Sequence, residues 1–135
     1  MLAEMRKSAN NVPVFRVFAD FLDGWRDRRP DRLVFDNSVF NGLKIQDDPE
    51  AVFNQGWLLC DVGEYQRGLE SLRRAIAKGY SPAPTLAGDR HFDGIRHDPA
   101  FQSVLAQAEA DREAARRAFY EAGGDHLFGL NVTVA

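Results

Sequence analysis

Residues 49–80 read PEAVFNQGWLLCDVGEYQRGLESLRRAIAKGY, and the fold turns on them. Val52, Gly56 and Leu59 step by three and four, with Phe53 and Trp57 beside them. After the break at Asp61-Val62-Gly63-Glu64, the same stepping resumes through Tyr65, Leu69, Leu72, Ala75 and Ile76. That is the period of a helix rather than the alternation of a strand. Two amphipathic segments joined through a short turn containing glycine predict an antiparallel helical hairpin. Gly56 and Gly68 put one residue without a side chain on each helix, where a close approach needs it. Asp48 is the expected N-cap, followed by Pro49 at the first helical position and Glu50 in the first turn. Lys78-Gly79 supplies a basic last turn and a glycine stop.

Working outward toward the N-terminus, residues 12–43 are expected to form a second hairpin. Val14, Phe15, Val17, Phe18, Phe21, Leu22 and Trp25 make a broad helical stripe, with Arg16, Asp20, Asp23 and Arg26 on the other side. Asn10 or Asn11 is the expected cap, with Pro13 in the first turn. Pro30 disfavours helix at Arg29, so this helix is expected to end within Arg26-Asp27-Arg28-Arg29. Asp31 to Leu43 favours a second helix ended by Gly42, although its β-branched and aromatic content also permits an extended segment.

Beyond the central hairpin, Tyr80 to Gly88 holds Pro82, Pro84 and Gly88 and is expected to be loop. Phe92 and Ile95 lie one short helical turn apart. Asp98-Pro99 marks a helix start, and the helix is expected to run from Pro99 to about Ala122. Its first half carries Phe101, Val104, Leu105 and Ala108, whereas Asp111 and Arg112 interrupt that face. The second half is therefore expected to be more exposed. Gly123-Gly124 ends it. The tail, residues 123–135, is apolar and uncharged after His126, and suits either a fold-back onto the helices or a strand-like segment for a partner chain.

The central hairpin resembles one tetratricopeptide repeat, a helix–turn–helix unit of about 34 residues. Gly56, Leu59, Gly63, Tyr65, Leu72 and Ala75 match the repeat pattern in register. Val52, Gln55 and Gly68 stand where Trp, Leu and Ala are typical, and the proline expected after the second helix is displaced to Pro82 and Pro84. The series Phe92-Asp93, Ile95-Arg96, Asp98-Pro99-Ala100-Phe101 and Val104-Leu105 resembles the segment that closes tetratricopeptide arrays. The resemblances imply an all-α fold: a short right-handed stack of helical hairpins, with a possible degenerate repeat at 12–43, the repeat at 49–80 and a capping segment and long helix at 89–122. They imply a binding class as well. In the family, the first helix of each repeat lines a groove, which places Phe53, Asn54, Trp57 and Asp61 toward it as binding residues. Phe53 and Trp57 are large for an open surface, so they are either core beneath the first helix or anchors for a peptide. Asp61 is acidic, and the basic clamp that some family members use on a peptide's terminal carboxylate is not evident.

The 135-residue chain has 44% hydrophobic and 27% charged residues, a balance that argues for a packed core and against disorder. A formal net charge of -3 gives no electrostatic footprint for nucleic acid. No apolar run approaches the roughly 18 residues that would span a membrane. The first eleven residues lack the apolar core of a secretory signal. Cys60 stands alone, so a reducing compartment, the cytoplasm, is expected. No nucleophile motif, phosphate loop or Cys pair appears, which predicts a chain without catalytic residues, metal or cofactor. The basic clusters Arg73-Arg74, Arg116-Arg117 and Arg26/Arg28/Arg29 have acidic residues close by and read as solvated helix faces. The expected function is non-catalytic binding of a protein or peptide partner, a second copy of the chain included. The alternative is a metal-dependent enzyme or regulator built on Asp89, His91, Asp93, His97 and Asp98.

Overall fold

A computed structural model describes residues 13–33 and 48–129, and no strand occurs among them. The described residues are helical, as the periodicity predicts. The helices are α1 (Pro13–Arg26), α2 (Pro49–Asp61), α3 (Tyr65–Ala77), α4 (Ala83–Gly88), α5 (Pro99–Glu121) and α6 (Gly124–Leu127), with 3-10 turns at Pro30–Arg32 and Arg90–Phe92.

The α2–α3 hairpin is built as its sequence suggests. Asp48 accepts from the backbone N–H of Glu50 (2.8 Å) and Ala51 (3.1 Å), meeting two donors that the helix cannot satisfy itself. Gly63 reverses the chain at φ +90°, and the Glu64 N–H reaches back to the Leu59 carbonyl at 2.9 Å. Gly79 ends α3 in the same way at φ +95°, with the Tyr80 N–H on the Ala75 carbonyl at 3.0 Å. Between the two turns the helices come nearly backbone to backbone. A Cβ on Gly56 would lie 2.8 Å from the Gly68 carbonyl oxygen and 2.9 Å from Leu72 Cγ. A Cβ on Gly68 would lie 2.5 Å from Cys60 Sγ. Neither position has room for a side chain.

Packed on this hairpin is an aromatic layer from the C-terminal half. Phe53 meets Tyr80 edge-on at 5.4 Å and Phe92 at 6.4 Å, and Phe92 meets Phe101 at 5.2 Å. Phe92 and Phe101 have no exposed surface, and burying each contributes about 1.5–3 kcal/mol. Asp98 caps α5 by accepting from the Ala100 N–H at 2.7 Å, as its Asp-Pro pair predicts. Arg96 binds the segment together, donating to the carbonyls of Leu86, Ala87 and Asp89 and to Asp93. After Ala108, α5 leaves the core and its residues through Phe119 are mostly exposed.

One expectation changes, and two others are met only in part by the described residues. Tyr80 to Gly88 is not all loop: Ala83–Gly88 is helical, with its prolines at the start, where a missing N–H is tolerated. Ala83 and Leu86 are buried in the core, so tertiary packing rather than periodicity makes this helix. Of the second helix expected over Asp31 to Leu43, only residues 31–33 are described: Asp31 and Arg32 lie in the 3-10 turn Pro30–Arg32, and Leu33 follows it outside helical geometry. Val34 to Leu43, and the caps at Asn10 and Asn11, lie outside the described residues. At the far end Gly123 turns the chain at φ +77°, but Gly124 to Leu127 then form a further helical turn, and Phe128 stacks on Phe119 at 6.2 Å. Residues 130–135 lie outside the described residues.

The close approach gives a direct test. Gly56→Ala gains up to about 1 kcal/mol of helix propensity, but overpacking typically costs 1–3 kcal/mol. Net destabilisation in urea unfolding is the expected result. A net gain of about 1 kcal/mol would show that the helices do not touch there.

Candidate functional site

The four residues assigned to a groove by resemblance occupy four different environments on α2. Phe53, 3% exposed, belongs to the core and presents no surface to a partner in this arrangement. Trp57 is half-buried between the main core and a smaller cluster of Phe21, Leu33, Leu58 and Leu59 that joins α1 to the hairpin. Its indole is covered by the His91 ring, with centroids 4.3 Å apart. Asp61 accepts from the Trp25 indole N–H and from Arg28 Nη1, each at 2.9 Å. Arg28 also donates to the Asp61 carbonyl at 2.8 Å. Arg28 stands at φ +55°, a left-handed conformation that costs a non-glycine residue about 1–2 kcal/mol. Asp61 therefore braces α1 against the hairpin. Arg67 completes the brace by donating to the carbonyls of Pro30 and Leu33.

Asn54 alone of the four is exposed. It lines an open groove of about 360 Å³ between α1 and α2, largely apolar, with Phe18, Leu22, Ala51 and Leu58 beside it and Glu50 at one end. That volume lies within the roughly 300–1,000 Å³ of ligand clefts. Only a few α1 side chains reach it, and the i, i+4 pair Phe18 and Leu22 is the sequence signal for them. Nothing in the repeat pattern marks α1 as the opposing wall. A second open groove, of about 490 Å³, lies between α3 and α5 and is lined by Arg73, Ile76, Ser103, Val104, Gln107 and Asp111 among others.

The Asp89–Asp98 constellation does not converge. Asp89 accepts from the His91 backbone N–H at 2.9 Å and contacts His91 Nδ1 at 2.6 Å. Asp93 pairs with Arg96, Asp98 caps α5 and His97 is exposed. Among the described residues no group of three or more His, Cys, Asp or Glu is placed to hold a metal ion. Burial works to raise the Asp89 carboxyl, but hydrogen bonds from His91, with help from the Trp57 indole, prevail and hold it below the usual carboxylate range. No acceptor meets the buried Trp57 Nε1 at full hydrogen-bond geometry. Cys60 is buried, and that burial pushes its thiol up to about 12, which leaves it inert as a nucleophile.

Two of the three basic clusters are paired with acidic neighbours. Arg26 pairs with Asp23 and Asp27, Arg29 with Asp31, and Arg116 with Glu113. Among the described residues no helix is long and apolar enough to cross a membrane. Comparison with known protein families, curated proteins and solved structures finds no match to this chain.

Two outcomes follow from these contacts. Asp61→Ala removes the acceptor shared by Trp25 and Arg28 and is expected to cost about 1–3 kcal/mol, with a change in Trp25 fluorescence. Unchanged stability and emission would show that the brace carries no load. Because the folded Asp89 pKa is depressed, its contribution to stability is fully present above the unfolded value of about 3.9 and is lost as pH falls through the folded value. Asp89→Asn is therefore expected to flatten the acid limb of the stability curve below about pH 4. Parallel acid limbs in the two proteins would refute this.

Proposed function

We propose that the chain is a non-catalytic interaction module that binds a protein or peptide partner through its helical faces, a second copy of the chain being one candidate. It is built as a short right-handed stack of tetratricopeptide-like hairpins, with residues 89–122 as the closing segment. The glycine contact of α2 with α3 and the Phe92–Phe101 layer over Phe53 support that architecture, because they give the hairpin a tight internal face and a covered end. A cytoplasmic setting suits the lone thiol.

The observation that carries the binding reading is the groove beside Asn54. Its lining among the described residues is largely apolar, and the hydrogen bonds to Asp61 tie the end of α1 to the end of α2 beside it. Such a groove suits an extended or helical peptide whose apolar side chains enter it. Asn54 supplies an amide to that peptide, while Trp57 and Asp61 hold the wall from behind.

A photoreactive benzophenone residue placed at Asn54 tests this. It is expected to trap a protein, or a second copy of the chain, that the same group at Glu109 on α5 does not trap. Equal trapping at both positions, or none at Asn54, contradicts the reading.

A further inference from the structure

We draw no further inference here: the strongest candidate, the open groove between α3 and α5, has Ile76 and Val104 already buried beneath it and Asp111 already accepting from Ser81 and Gln107, and nothing in the structure shows what covers it.

Discussion

Two helices can meet backbone to backbone only where neither carries a side chain at the crossing. Gly56 and Gly68 satisfy that condition on α2 and α3, and the rest of the described structure depends on it. With the crossing closed, Leu72 and Ala75 have no exposed surface and Leu59 has almost none. The hairpin becomes a rigid plate with two usable sides. Dispersion contacts across such a crossing are individually tiny and collectively large, so a single methyl group in the wrong place is felt through the whole plate.

Each side of the plate is held differently. On one, aromatic rings from Phe92 and Phe101 seal Phe53 into the core, and Arg96 ties the connecting carbonyls. On the other, α1 is attached by a small apolar cluster and by hydrogen bonds converging on Asp61. The first attachment is broad and dry. The second is narrower and polar, and it leaves an open groove beside Asn54.

Much of the fold was legible because it rests on local rules. The Asp48-Pro49 and Asp98-Pro99 pairs announce two helix starts, Gly63 and Gly79 mark two turns, and the 3–4 stepping of Leu69, Leu72 and Ile76 marks a buried face. Helix α4 was not legible, since Ala83 and Leu86 are too few to show a period and its prolines resemble loop. Its stability comes from neighbours distant in sequence. The same limit explains the site. The resemblance assigns Phe53 and Trp57 to a groove side, but here Tyr80 and Phe92 pack on Phe53 and His91 packs on Trp57. Asp61 looks like a free carboxylate until Trp25, 36 positions earlier, is seen to donate to it. Asn54 was assigned to a groove only by resemblance, and its neighbours across that groove, Phe18 and Leu22, belong to a tertiary contact that no local pattern encodes.

The most direct test of the account is the proton–proton contact map of the isotopically labelled protein in solution. A backbone crossing at the two glycines predicts strong nuclear Overhauser contacts between the α-protons of Gly56 and Gly68, and between Gly56 and the Leu72 methyl groups. With all three residues assigned, the absence of both contacts would contradict the crossing, and the plate, its groove and the proposed binding would fall together.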